Sequence, residues 1–475
     1  MEVLEDMMGG NNRSRCCLLG LCAFVLSSLA TDVRAYARGL SDDYVARVVA
    51  HQSNLLSRHR PPQEQHRRHK PRLPQMLVTQ ESHPTEAPSG AVRTPGEYEP
   101  VYGALVRWGR YSFYESQLTE LVVGITTDPN SNSLAFLTVD DSYMQSELSP
   151  RLQLAGANIN RVRFIIYDEY GDDASVWIRD YGPRYIHEDG LPAIIDHTFG
   201  HGTADNAFPA WLSTYELPFD DNEPVYEMDL THDGGNLLCT STGDAFMSTW
   251  IMEQNPDKNE PDIRGIIESH FNVSLTLYDR LPFYAGYHID MWLLPLSDNK
   301  IIVSEFPPDH PQSKTITDNA AADLQSRGYT VYRTPAHVEP GEDALGGSHY
   351  TYTNAAIVNG RVFIPSYDEP AQDAAAMATY RAALPDHEVI QIACASMLHD
   401  NGALHCITKP IYTILGDFDK DVDVDLVDFA IFAAAWFTEE GDSKWNRDCN
   451  IAVPKDAIID ELDLFVLASN WLVGK

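Results

Sequence analysis

Two textures in this chain predict its fold class. From Tyr102 to Ile414, short apolar runs of strand length alternate with helix-length stretches, the pattern of an α/β domain. From Asp417 onward one pattern occurs twice, an aspartate-rich loop followed by an apolar helix, which predicts a small all-α unit. With 44% hydrophobic and 10% aromatic residues, a chain of 475 residues has ample material for a large core.

Residues 1–35 stand apart from that fold. Arg13 and Arg15 precede an apolar run over residues 16–30, and Ala30 and Ala35 provide small residues for cleavage. The segment therefore reads as a secretory signal peptide, and the mature chain as secreted or cell-surface associated. Acidic residues ahead of Arg13 suit such a signal poorly and point to Met7 or Met8 as the start, while Leu21 is too large for Cys22 to read as a lipidation site. No stretch reaches the about 20 apolar residues of a membrane span, so none is expected. Residues 36–100 are rich in Arg, His, Gln and Pro without hydrophobic periodicity, which predicts a solvated linker or propeptide.

The α/β domain is expected over residues 101–414. Strands are predicted over residues 163–167, 192–197, 245–250, 300–306 and 389–394, where β-formers cluster between turn residues. Residues 355–367 read as a hairpin around Asn359-Gly360, a pair suited to positive φ. Helices are predicted over residues 142–154 (interrupted at Pro150), 261–270, 317–327 and 371–384, the last stopping ahead of Pro385. Residues 416–475 hold the duplication: Asp428 and Asp463 are 35 residues apart, as are Trp436 and Trp471.

Net charge is -35, yet residues 1–75 carry 11 basic against 7 acidic residues, so the acidity belongs to the remainder. A body this acidic repels phosphate and argues against a nucleic-acid partner. It suits either attraction of a cationic substrate or simple solubility. Beyond the signal, Cys239, Cys394, Cys406 and Cys449 are too few and too dispersed for a disulfide framework, although a Cys239–Cys394 bridge stays open. Cys406 reads as a single reactive thiol in a short apolar β-type run, N-G-A-L-H-C-I-T-K.

Three upstream motifs give that thiol a context. In G-Y-H-I-D, His288 and Asp290 stand two apart; on a strand both would face one cleft, as an acid/base beside a cation anchor. A metal pair lacks a third ligand at suitable spacing, and an ordinary polar pair is the other alternative. In W-I-R-D-Y-G-P, Asp180 is either a turn residue or part of a pocket wall with Trp177 and Arg179, the indole covering the stem of a long cation. In T-H-D-G-G-N, the paired glycines allow close backbone approach, so His232 and Asp233 border the same cleft or form a plain turn.

These motifs, with Y-T-N-A-A-I-V-N and A-L-H-C-I-T, follow one another in the order of the bacterial Porphyromonas-type peptidylarginine deiminase and agmatine deiminase family, which the chain resembles from Tyr102 to Ile414. The resemblance implies a pentein fold, a five-bladed α/β propeller with the site at its axis. It implies Cys406 as nucleophile, His288 as acid/base, Asp180 and Asp290 as the guanidinium clamp and Asn354 as an orienting group. Trp177, Arg179, His232, Asp233 and Tyr287 are the expected substrate-binding residues. Neighbouring positive charge is expected to favour the Cys406 thiolate. No cofactor is expected for catalysis. Histidine ahead of the paired glycines matches the peptidylarginine branch, since agmatine enzymes carry E-G-G there. Residues 198–209, comparable to where that branch reads a C-terminal carboxylate with two arginines, contain none and offer only His201. An agmatine deiminase, and a binding module without turnover, remain as further readings.

Asp417, Asp419, Asp421, Asp425 and Asp428 occupy positions 1, 3, 5, 9 and 12 of a calcium loop, with the Asp423 carbonyl at position 7. The tail resembles a type I dockerin module, which implies calcium and a cohesin-type partner. Val422 stands where such loops have glycine. The second copy is irregular, with Asp448, Asn450, Asp456, Asp460 and Asp463 as candidate ligands.

Overall fold

Five small sheets form the α/β part of the described residues, four of them on one plan and the fifth on a variant of it. The computed structural model describes residues 84–109, 114–129, 131–168, 175–215, 223–283, 286–339, 348–400, 402–452 and 455–471. The predicted signal peptide, the predicted linker up to residue 83 and Asn401 lie outside these residues.

The plan is a tight antiparallel hairpin, then a crossover containing helix, then a strand parallel to the second. Arg184–Glu188 pairs antiparallel with Leu191–Thr198, which pairs parallel with Val225–Thr231. Leu238–Cys239, Asp244–Ser248 and Ser274–Tyr278 repeat the order. So do Leu293–Ser297, Lys300–Glu305 and Thr330–Glu339, with Ser348–Thr351 added at the edge. Ala356–Val358, Arg361–Ser366 and Glu388–Ala393 form the fourth sheet. In the fifth, Lys409–Tyr412 pairs antiparallel with Val101–Arg107, followed in parallel by Leu134–Val139 and Val162–Ile166. A strand from near residue 410 thus closes onto one from near residue 100, so the last sheet joins the two ends of the domain.

Local sequence explains most element ends. Helix Glu260–Phe271 opens on an Asn259–Asp262 capping box and closes at Asn272 with φ 50. Asp141 caps helix Ser142–Leu154 by accepting from the Met144 amide. That helix runs through Pro150, against expectation: Pro150 and Ser146 both face solvent, where water serves the carbonyl that proline leaves unpaired. Helix Pro311–Ser326 starts well ahead of the predicted residue 317, with proline at its first turn. In the 356–366 hairpin only Asn359 takes positive φ (52), and its side chain bonds both Val101 N and Val101 O, tying two sheets together.

The predicted boundary at residue 101 is too late. Val92–Arg93 is an edge strand paired with Arg184–Glu188, and Thr94, Glu97 and Glu99 are buried. Their charged and polar side chains find partners inside the domain, which composition alone could not reveal. All four cysteines among the described residues are buried and free, so the Cys239–Cys394 bridge is absent. No described helix is long and apolar enough to cross a membrane.

Candidate active site

The segments that lead into the first antiparallel strand of each of the five sheets meet at one place. Asp180 precedes Arg184–Glu188, Asp233 and Gly235 precede Leu238–Cys239, His288 and Asp290 precede Leu293–Ser297, Asn354 precedes Ala356–Val358, and Cys406 precedes Lys409–Tyr412. Each chemistry-bearing side chain therefore enters from a short segment leading into its own sheet. His288 and Asp290 do not lie on a strand as expected; Asp290 sits in the 3-10 turn Ile289–Met291, and His288 is its N-terminal flank. Cys406 likewise lies in a turn ahead of its strand.

Asn354 builds that turn. Its Oδ1 accepts from the backbone N–H of Ala403 (3.0 Å), His405 (3.1 Å) and Cys406 (3.3 Å), while its Nδ2 lies 3.1 Å from Cys406 Sγ. The W-I-R-D segment braces the other side: Arg179 N donates to Cys406 O (3.0 Å) and Arg179 Nε to His405 O (3.1 Å). Trp177 lies across Gly402, where an added Cβ would come within 2.4 Å of the indole. Any side chain at 402 would push the indole or the cysteine turn aside.

Carboxylates surround the thiol and the imidazole. Asp290 is fully buried; its Oδ2 stands 3.6 Å from Cys406 Sγ, and its Oδ1 has no hydrogen-bond donor. Asp180 Oδ1 accepts from Gly235 N at 2.9 Å and lies 3.6 Å from His288 Nδ1. Asp233 Oδ2 takes His288 Nε2 (3.1 Å) and Gln254 Nε2 (2.6 Å), so the imidazole is held between two carboxylates. A Cβ on Gly235 would fall 2.9 Å from Asp180 Oδ1, 2.9 Å from Asp290 Oδ2 and 3.1 Å from His288 Nδ1. Glycine is what leaves that space open.

Burial would lower the His288 imidazole, but Asp180, Asp233 and Asp290 overcome it and push it up to about 10, so it is protonated at neutral pH. Burial raises the Asp180 carboxyl to about 6, with His288 opposing and the Asp233 and Asp290 charges adding to the rise. Burial, then Asp290 and Asp180, push the Cys406 thiol well above its ordinary range. The charged group in contact with the sulfur is thus a carboxylate rather than the expected cation. A cation must be brought in for the thiolate to form.

Two expected substrate contacts are not in the pocket. Arg179 is 3% exposed and pairs with Glu97 at 3.2 Å, beneath the cysteine turn. His232 is fully buried against His197, with ring centroids 4.7 Å apart. Both sit beside site residues in sequence, but their side chains point into the domain. Tyr287 is half-buried, its ring tilted against Trp250 (centroids 4.8 Å apart) and covered by the Arg280 guanidinium at 4.0 Å. His201 is largely exposed, 4.0 Å from Asp233 Oδ1. Glu97, Gly235, Gln254 and His405 were not anticipated; only the paired glycines gave a signal.

In the tail, Asp417, Asp419 and Asp421 gather closely enough to share an ion, as do Asp423, Asp425 and Asp428. Asp419 Oδ1 is buried without a donor, which fits a hard cation at the first loop. Val422 takes φ 75, a left-handed conformation costly for a β-branched residue, so the loop makes the glycine-type turn without glycine. Asp428 Oδ1 accepts from Phe418 N and Asp419 N, and Asp463 Oδ1 likewise from Ile451 N and Ala452 N, which carries the duplication into structure. In the second copy Asp456, Asp460 and Asp463 are not gathered: Asp456 and Asp460 instead accept from Ile458 N and Leu462 N. The first loop touches the α/β domain, Asp417 Oδ2 accepting from Tyr102 Oη at 2.5 Å.

Residues 95–411 match the family described as Porphyromonas-type peptidyl-arginine deiminase. An agmatine deiminase of Pseudomonas putida is 25% identical over 314 residues, covering 58% of this chain and 82% of that protein. Among solved structures, an agmatine deiminase from C. jejuni with substrate bound superposes with a TM-score of 0.58 at 18% identity, covering 68% of this chain and 97% of that one. The agmatine deiminase of Enterococcus faecalis gives 0.55 at 14% identity, covering 69% and 99%. The α/β fold shared with these structures is the pentein fold.

Proposed function

Because this chain belongs to the Porphyromonas-type peptidyl-arginine deiminase family, whose members hydrolyse guanidino groups, we propose that it converts arginine in peptides or proteins to citrulline and ammonia. One observation carries the reading: an unpartnered Asp290 Oδ1, with its sister oxygen 3.6 Å from Cys406 Sγ, in a site otherwise closed by Asp180 and His288. A planar cation with several N–H groups is what such a site lacks.

The incoming guanidinium supplies the positive charge that the thiol needs. Sγ attacks the guanidinium carbon and its proton leaves to solvent, giving a tetrahedral adduct. His288, charged at neutral pH, protonates one terminal nitrogen; the C–N bond breaks and ammonia departs, leaving a thiouronium on Cys406. The neutral imidazole then takes a proton from water as it attacks. Collapse breaks the C–S bond and returns the thiol and a ureido product. Asp180 and Asp290 hold the carbon in line throughout.

Kinetics with an internal-arginine peptide, a C-terminal-arginine peptide, free arginine and agmatine, read as ureido product and ammonia, test the reading. A peptide with internal arginine should give the highest kcat/KM, and equal use of free arginine would count against it. The agmatine alternative is favoured by the Pseudomonas putida relative, and a tenfold or greater preference for agmatine would establish it instead. With the preferred substrate, kcat/KM should rise with pH through about 6, as Asp180 ionises and can pair with the guanidinium. It should fall toward about 10, as His288 loses the proton it must donate. A flat profile between pH 5 and 8 would contradict those assignments.

We read the five sheets as blades of a propeller around this site, and residues 416–475 as a dockerin-like module that displays a secreted enzyme on a cohesin-type partner. Asp417, Asp419, Asp421, Asp423, Asp425 and Asp428 would hold the calcium, which would fix the loop rather than take part in turnover. Calorimetric titration of the full chain should show one calcium ion, lost in Asp419→Ala; no binding at millimolar calcium would remove the module reading.

A further inference from the structure

We propose that His405 is a positioning residue: it fixes the Asp290 carboxylate for the substrate, as the middle member of a buried chain running Asp290–His405–Glu97 and anchored on Arg179 and Arg184. The inference rests on the deiminase reading and adds two residues to its machinery.

The geometry is continuous. His405 Nδ1 lies 2.7 Å from Asp290 Oδ2, and His405 Nε2 lies 3.3 Å from Glu97 Oε2. Glu97 meets Arg179 Nη1 at 3.2 Å through the same oxygen and Arg184 Nη2 at 3.4 Å through the other. The side chains of His405, Asp290 and Glu97 are 2%, 0% and 5% exposed, so no water competes for these bonds. Burial would raise the Glu97 carboxyl, yet Arg179, His405 and Arg184 together hold it well below the usual range, so it is an anchor of fixed charge.

Asp290 needs such a partner. A buried carboxylate without a donor takes up a proton or turns toward water, and either would lose the guanidinium. Apart from the Cys406 thiol, His405 is the only hydrogen-bond donor that Asp290 has among the described residues. The imidazole and the Cys406 thiol both engage Oδ2, which leaves Oδ1 without a protein donor and free to accept from a substrate N–H. His405 is also tied to the nucleophile: its amide shares the Asn354 Oδ1 acceptor with that of Cys406, and its carbonyl takes Arg179 Nε. One rigid unit thus carries the thiol and orients the carboxylate beside it. Asparagine at 405 would keep a donor near the Nδ1 position, whereas alanine would keep none.

Labelling of Cys406 by chloroacetamidine, a planar amidinium, against iodoacetamide, a neutral alkylator, separates this role from a packing role. Wild type should prefer the amidinium. His405→Ala should lower that labelling rate about 10- to 100-fold, the loss expected for one charged hydrogen bond, while iodoacetamide labelling stays within about threefold. The kcat/KM should fall in proportion with kcat largely kept, and His405→Asn should restore most of both readouts. Glu97→Gln, which leaves the imidazole in place, should give a loss in the same direction of about threefold or more, and it serves if His405→Ala does not fold. A wild-type preference retained in His405→Ala, or equal loss with both reagents in each folded variant, would overturn the proposal alone. Absence of turnover and of amidinium preference in wild type would remove the deiminase reading and this inference with it.

Discussion

Cys406→Ala should abolish turnover, lowering ureido and ammonia release by at least about 10,000-fold, because on the proposed route both halves of the reaction pass through the thiouronium on Sγ. The loss should be chemical, not structural. Cys406 is buried, but its turn is held from outside the side chain, by three amides on Asn354 Oδ1 and by Arg179 N on its own carbonyl. Asn354 Nδ2 loses one sulfur neighbour and keeps the other, Met291 Sδ at 3.2 Å. The melting temperature should therefore shift by only a few degrees. Substrate should still bind, since Asp180, Asp290 and His288 remain, and calorimetry with the preferred guanidine should give an affinity within about tenfold of the wild-type KM. Activity within tenfold of wild type would exclude Cys406 as nucleophile.

The same turn shows which parts of the molecule local pattern could reveal. Alternation of strand-like and helix-like stretches was legible because each repeat is made of neighbouring residues. The pairing of Lys409–Tyr412 with Val101–Arg107 was not, since hydrophobic periodicity carries no record of which distant strand is the partner. Cys406, His288, Asp180, Asp290 and Asn354 stood out in motifs, and the structure gathers all five. Arg179 and His232 stood out equally and point away, because neighbouring residues in a turn project in different directions. Glu97 was hidden for another reason. It lies within the stretch, residues 36–100, whose composition reads as solvated, and only tertiary pairing with Arg179, Arg184 and His405 makes it a core residue. Val422 ran the other way: a missing glycine argued against a regular loop, yet the backbone takes the left-handed turn regardless.

Gly235→Ala should be damaging too, though less than loss of the thiol, with kcat/KM down by about 100-fold, the scale seen when reacting groups are displaced by about an ångström. Gly235 does not have the positive φ that would bar alanine, so the backbone accepts the change. The three atoms nearest the added methyl are all ends of side chains, Asp180 Oδ1 at 2.9 Å, Asp290 Oδ2 at 2.9 Å and His288 Nδ1 at 3.1 Å. Side-chain ends can move aside at little cost to the fold. They cannot move aside without cost to catalysis if, as proposed, these three are the clamp and the acid, since the reaction then depends on their directions relative to Sγ. Stability and activity should therefore part company: a melting temperature close to wild type, iodoacetamide labelling of Cys406 unchanged, and turnover lost. Gly234→Ala should behave differently. A Cβ there would come within 2.1 Å of the Arg179 carbonyl, which is backbone and cannot swing away, so that variant should lose stability as well as activity. Loss of folding in Gly235→Ala, or unchanged turnover, would show that the glycine serves the turn alone and that the guanidinium sits elsewhere.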